Sequence, residues 1–409
     1  MDNGTGNRFW KKAGMRVSAP AIGTLVMIGF LAALFGVLAP RYLSDNNVID
    51  IFRTVSVRFV VSLAMGVVIA SGGFDLSIGH VAGFSGLITA YMLVNLRLSI
   101  PVSVVSGIMV GTLLGCVNGL IVGWLGVSSF ITTLGMQMVI VGLRYWLTNG
   151  TTIMNLPKAF CWYGGGKVNI IPAVVAFAFA ILLIMPFVIH RTTLGRRDNL
   201  KGQNLEASGP VGASPRKNIT LLLILYSALG GLAGLLIWYG VGKVYDIPVI
   251  VVIAFVILLI MLFVMHRTTL GRRIISVGQN LEASRLSGIN PRIYTALALI
   301  LSGALSGVAG VLIVARNGLA NVDVGDKYLL EAMTIAVLAH VMFGKFKAHG
   351  VMLMTLFIIM LTNGLTMLGV DPSFMDMIRG TMLIVVIVFG KFMQFLRNRR
   401  RVRPAEQIE

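Results

Sequence analysis

Apolar runs of about 18 residues or more recur along the chain, parted by short segments that hold most of the polar and charged residues. Each run can cross about 30 Å of hydrocarbon as a helix. The pattern predicts about twelve membrane-embedded helices, over 17–39, 55–71, 80–97, 101–126, 128–147, 171–190, 218–239, 247–266, 295–315, 329–343, 349–370 and 375–397. The expected fold is therefore all-α, a polytopic transmembrane helical bundle. A tail over 1–16 precedes one membrane domain over 17–397, and a basic tail over 398–409 follows it.

Composition agrees with this pattern. Of 409 residues, 56% are hydrophobic and only 12% charged, about half the charged share of an ordinary soluble domain. Mean hydropathy is +0.88. Residues Met1–Arg16 are polar and basic and lead into a span long enough to stay in the membrane, so no cleavable signal peptide is expected. Small residues at four-residue spacing, as in Gly107, Gly111, Gly115 and Gly119, allow close helix packing in lipid.

The net charge of +19 could suggest nucleic acid, but the basic residues lie in short runs between apolar segments. With the N-terminus in the cytoplasm, 23 Lys and Arg fall on the cytoplasmic side and 8 on the opposite side; Arg58, Arg144 and Arg379 lie inside spans. That bias orients the chain with both termini cytoplasmic. The charge thus reports topology, and no nucleic-acid partner is expected.

Residues 162–237 align without gaps to 238–313, with 33 identities over 162–208 and 14 over 209–237, or 47 of 76 positions. This is a tandem duplication of two spans and one basic loop, and an even number of added spans preserves the orientation downstream. The block His190–Arg197 recurs as His266–Arg273, followed in both copies by Gly-Gln-Asn-Leu-Glu-Ala-Ser. After it the second copy reads Arg285-Leu-Ser-Gly-Ile-Asn-Pro291, compatible with a short amphipathic helix, whereas the first reads Gly209-Pro210-Val-Gly-Ala-Ser-Pro215, which disfavours one. The second loop is read as the working copy.

Several chemistries find no support. Cys116 and Cys161 are too few for a disulfide scaffold or a cysteine zinc site. No two of His80, His190, His266, His340 and His349 sit at metal-ligand spacing on one helix, and no metal or other cofactor is expected. His190 and His266, at helix ends beside arginine, suit interface anchoring. Gly164-Gly-Gly-Lys167 lacks the spacing of a phosphate loop, so the chain does not hydrolyse ATP in that way by itself. Among intramembrane acids Asp75 and Glu331 stand out, with no basic partner obvious in sequence. Such scarcity argues against an ion-coupled carrier and against a membrane enzyme.

One segment interrupts the apolar pattern at a place where membrane structure permits it. Ser71-Gly-Gly-Phe-Asp-Leu-Ser-Ile-Gly-His80 favours an irregular backbone, tolerated at membrane depth only inside protein or beside water. Asp75 or Ser77 can also cap the helix that follows.

From these residues the chain resembles the permease of ribose-type ABC importers, the family that moves ribose, xylose, arabinose, galactose and related sugars. Gly72-Gly-Phe-Asp-Leu-Ser-Ile-Gly79 is similar to the family's G-G-x-D-L-S-x-G motif. Asn118-Gly-Leu-Ile-Val122 and Ser129-Phe-Ile-Thr-Thr-Leu-Gly135 follow in family order. So do Thr269-Leu-Gly-Arg272, the run Gly278–Ile289, and Asn363-Gly-Leu-Thr-Met-Leu-Gly369. Subtracting 76 residues from 409 leaves 333 and a core of ten spans, about the size of that family.

The resemblance implies two permease chains, identical or related, in the bacterial inner membrane beside two ATPase subunits, and an extracytoplasmic sugar-binding protein that delivers cargo. It implies an ATPase-coupling loop comprising Gly278, Asn280, Glu282, Ala283, Arg285, Leu286, Ser287 and Gly288. It also implies a translocation path and helix break comprising Gly72, Gly73, Asp75, Ser77, Gly79, Asn118, Thr133 and Asn363. Arg272, Arg273, Arg285 and Arg292 would offer charge to an acidic groove, and Leu281, Leu286 and Ile289 an apolar contact. The same arginines also satisfy the topology rule alone.

Two departures stand out. Val337-Leu-Ala-His340 replaces the family's V-L-G-G-T, and the duplication adds a helix pair. Alternatives remain: a stand-alone secondary carrier or channel, an ABC permease for a furanosyl signal or a branched-chain amino acid, or a paralogue inactivated by the duplication.

Overall fold

The computed structural model describes residues 19–168 and 247–371, save Lys345, and scattered positions onward to Val388. Helices α1 (Ala19–Leu38), α2 (Asp45–Ala70), α3 (Ile78–Val94), α4 (Ile100–Gly123), α5 (Ser129–Thr148) and α6 (Lys158–Gly165) precede β1 (Lys167–Val168). After β2 (Ile247–Pro248) come α7 (Val249–Arg267), α8 (Thr269–Gln279), α9 (Leu281–Leu286), α10 (Pro291–Asn317), α11 (Asp326–Phe343) and α12 (Ala348–Met367). Apart from the two-residue strand pair the described chain is helical, and the described positions between Phe374 and Val388 are helical too.

Seven of these helices are long and apolar enough to cross a membrane: α1, α2, α4, α5, α7, α10 and α12. α3 is apolar but shorter. α11 carries Asp326, Lys327, Glu331 and His340 along its 18 residues. The expected spans over 171–190 and 218–239, together with His190 and the first copy of the repeated loop, lie outside the described residues.

α2 begins at Asp45, ten residues before the expected span. Its polar first turns are held by tertiary partners. Asn47 and Asn363 on α12 exchange two amide hydrogen bonds, each 3.0 Å. Arg316 on α10 donates to Asp50 at 3.2 Å and to Thr54 at 2.8 Å, and Arg53 donates to the Gly165 carbonyl at 2.8 Å. Before α2, buried Tyr42 donates to the Met360 carbonyl at 2.9 Å, and burial pushes its phenol up to about 12.

The centre is a seam of α3, α4 and α10. A Cβ on Gly111 would lie 2.7 Å from the Gly303 carbonyl oxygen, and one on Gly115 2.8 Å from that of Leu299. Gly86 meets Gly310 in the same way, at 2.6 Å. Small residues there let backbones touch, the packing available to helices in lipid. By contrast the outer faces of α1, α4 and α5 are apolar and exposed, as at Val26, Leu113 and Met138.

The chain forms two compact units, 1–166 with 249–409, and 167–248. Within the first, Val249 N donates to the Gly166 carbonyl at 3.2 Å, so the point where the chain leaves lies beside the point where it returns. Within the second, Lys167 pairs with Pro248 and Val168 with Ile247, antiparallel. The first unit thus takes only 162–166 from the first copy of the repeat and 249–313 from the second.

Candidate functional site

α2 ends in a Schellman turn: Gly72 N donates to the Ile69 carbonyl at 3.0 Å and Gly73 N to that of Val68 at 3.1 Å. Gly72 takes φ +82°, where a side chain would be strained. The chain then runs without helix to Ser77. α3, of 17 residues, is about 26 Å long at 1.5 Å per residue, short of the ~30 Å hydrocarbon core.

Asp75 organises this break. Its Oδ1 accepts from Ser77 N at 2.9 Å and Ser77 Oγ at 2.6 Å, and its Oδ2 accepts from Ser302 Oγ on α10 at 3.1 Å. Asn118 on α4 donates to Ser77 Oγ at 3.1 Å. Two further donors are taken by α5: Leu76 N by Thr133 Oγ1 at 2.9 Å and Phe74 N by Ser129 Oγ at 3.2 Å. Asp75, Ser77, Asn118, Thr133 and Ser302 are all buried. The irregular backbone is therefore satisfied inside protein, as membrane depth requires. The capping expectation is refined: Asp75 binds the N–H of Ser77, the residue before α3, while Ser77 makes no side-chain cap bond.

Of the expected path residues, Asp75, Ser77, Asn118 and Thr133 thus meet. Gly79 packs instead against Gly325, before α11. Asn363 lies elsewhere, on the Asn47 pair between α12 and α2. Gly72 and Gly73 join the other expected group. A Cβ on Gly278 would collide with the Ala70 carbonyl and lie 2.9 Å from Gly72 N. Together with Ser129, Arg285 and Arg292 these residues line a groove of about 420 Å³.

The short helix of the second-copy loop is α9, Leu281–Leu286, and does not extend over 285–291 as expected. Asn280 starts it, its Oδ1 accepting from Ala283 N at 2.9 Å, and Gly288 at φ +74° ends it. Before it, α8 buries Gly271, Ile274 and Val277 on one face, and Thr268 caps it. Arg285 pairs with Glu282 at 3.1 Å, and Ser287 Oγ donates to the Ala283 carbonyl at 2.8 Å. Leu286, 89% exposed, projects from this surface.

Sequence reasoning missed a second polar group. Glu331 does have a basic partner, Arg58 on α2, and Arg58 also lies over the Tyr328 ring. Arg144 on α5 pairs with Asp326 at 2.8 Å, and His80 Nε2 lies 3.4 Å from the same carboxylate. The signal was present: an arginine inside an apolar span requires a partner. Among the described residues no group of three His, Cys, Asp or Glu could hold a metal.

Known proteins give the geometry its context. The chain is 28% identical over 366 residues to the xylose transport system permease protein of Haemophilus influenzae, covering 89% of this chain and 94% of that one. The Escherichia coli K12 xylose permease is 28% identical over 350 residues, 85% of each chain. The ribose import permease of the same strain is 25% identical over 386 residues, 94% of this chain and 96% of that one. No solved structure matches the chain. One family model, described as branched-chain amino acid transport system / permease component, matches twice, over 47–248 and 240–387, as a duplicated segment would. On these two matches, which span most of its length, the chain belongs to that family of transport permeases.

Proposed function

We propose that the chain is the membrane permease of a bacterial ABC importer for a monosaccharide of the xylose and ribose class. A separate ATPase drives it and an extracytoplasmic binding protein delivers the sugar. A second permease chain completes the path across the inner membrane. The cargo class rests on the xylose and ribose relatives.

The observation that carries the coupling reading is the seating of the second-copy loop. On the side that the Lys and Arg bias assigns to the cytoplasm, α9 presents Leu286 beside the Arg285–Glu282 pair. An exposed leucine within a charged rim suits a protein contact. Behind it, Gly278 rests directly on the end of α2. A push on α8 and α9 therefore reaches the Gly72–Gly73 turn through backbone, without an intervening side chain. The Asp75 network then holds the break to α4, α5 and α10. In this reading Asp75, Ser77, Asn118 and Thr133 form the hinge of the path, and Gly278 to Gly288 form the lever.

Purifying the tagged protein from its native membrane in mild detergent tests this, with mass spectrometry of the proteins retained. The expected result is an ABC-type ATPase near stoichiometric yield. Folded permease with no ATPase would overturn the importer reading in favour of an uncoupled carrier.

A further inference from the structure

The acids and bases around α11 lie deep in the bundle. His80 is 14 residues from the outer end of α3 at Val94, about 21 Å at 1.5 Å per residue. Arg58 is 13 residues from the outer end of α2 at Asp45, about 20 Å on the same scale. Both positions fall well below the outer edge of hydrocarbon about 30 Å thick.

Exposure divides the group. The side chains of Arg144 and Glu331 are 1% and 3% exposed, whereas that of Asp326 is 38% exposed. A carboxylate turned toward lipid at mid-depth costs about 3 kcal/mol, so such groups face protein or water. Arg144 holds Asp326 from behind, and among the described residues its Nε and Nη2 make no hydrogen bond, nor does His80 Nδ1. The carboxylate keeps capacity that its own neighbours do not use. A stripe continues from it along α11 through exposed Leu330 and half-buried Met333 and Val337, while Glu331, Ala332 and Ile335 between them are buried.

We propose that Asp326, positioned by Arg144 and His80, is a cargo-contacting group on a water-filled translocation path. Its free carboxylate lone pairs accept hydroxyl hydrogen bonds from a neutral polyhydroxylated molecule, and the stripe below it is the apolar wall along which that molecule leaves. The site rests on the importer reading for its cargo, but not for its exposure to water.

Two measurements test it. In full-length protein with Cys116 and Cys161 replaced by serine, Asp326→Cys and Leu330→Cys should react with a membrane-impermeant methanethiosulfonate, while Leu113→Cys on the outer face of α4 should not. Asp326→Cys and Leu330→Cys as inert as Leu113→Cys would place this face against lipid or a second copy and overturn the site. Labelling needs no ATPase, so this failure is distinct from failure of the importer reading. In cells, Asp326→Asn should lower D-xylose and D-ribose uptake at least tenfold, and adding Arg144→Met should not restore it. Recovery in the charge-neutral double variant would show that Asp326 only neutralises Arg144, and would overturn its contact with cargo.

Discussion

The carboxylates of Asp75 and Asp326 both sit within the bundle, and they differ in how completely their hydrogen-bonding capacity is used. At the break, both oxygens of Asp75 are occupied, by Ser77 and by Ser302, and the free backbone donors of Phe74 and Leu76 are taken by α5. Around α11, Asp326 is partly open and the Arg144 guanidinium behind it has unused donors. A buried carboxylate whose oxygens are both bonded within the chain holds structure together. One that is charged, accessible and incompletely satisfied has room for a ligand. The contrast assigns the break to mechanics and the start of α11 to recognition.

The sharpest way to break that contrast is to remove each carboxylate and measure stability beside uptake. Asp326→Asn combined with Arg144→Met, which leaves no unpaired guanidinium in the interior, should give the largest functional loss, at least tenfold in sugar uptake, with the melting temperature of the purified protein little changed. Asp75→Ala should do the reverse first: it strands the Ser77 amide and two hydroxyls in the interior, costing about 2–4 kcal/mol, seen as a clearly lower melting temperature. Equal destabilisation by the two changes would erase the distinction.

Next in size is Gly278→Val. Its side chain would meet the Ala70 carbonyl and force α8 off α2. The ATPase should still co-purify, while ATP hydrolysis proceeds with uptake reduced several-fold. Leu286→Glu should act one step earlier, reducing ATPase recovery itself. The smallest effect is expected from Thr133→Val, which removes one acceptor from Leu76 N and should cost about 1 kcal/mol in thermal unfolding.

Much of this was legible in the sequence for physical reasons. Long apolar runs located the long apolar helices among the described residues, and the repeat was plain in the identity of two loops. Other features depended on contacts between distant residues. Asn46, Asn47, Asp50 and Arg53 read as a loop, yet they open α2, where Asn363, Arg316 and the Gly165 carbonyl satisfy three of them. The short loop helix lay a few residues earlier than expected because Asn280 starts it and Gly288 stops it, both local signals that were outweighed by the amphipathic look of 285–291. Asp326 escaped notice because it stands at the edge of an apolar run, and only the fold brings Arg144 and His80 to it.

The duplication allows the most direct test of the whole scheme. Val168 is the repeat equivalent of Val244, and Val168 already pairs with Ile247. Deleting 169–244 would join Val168 to Tyr245, leaving Tyr245 and Asp246 as a two-residue connection between the paired strands and removing one complete copy of the repeat. With the second-copy loop as the working one, the shortened protein should fold, retain its ATPase and take up sugar as the full chain does. A folded, shortened protein that has lost both the ATPase and uptake would contradict it, and would move the working loop to the first copy.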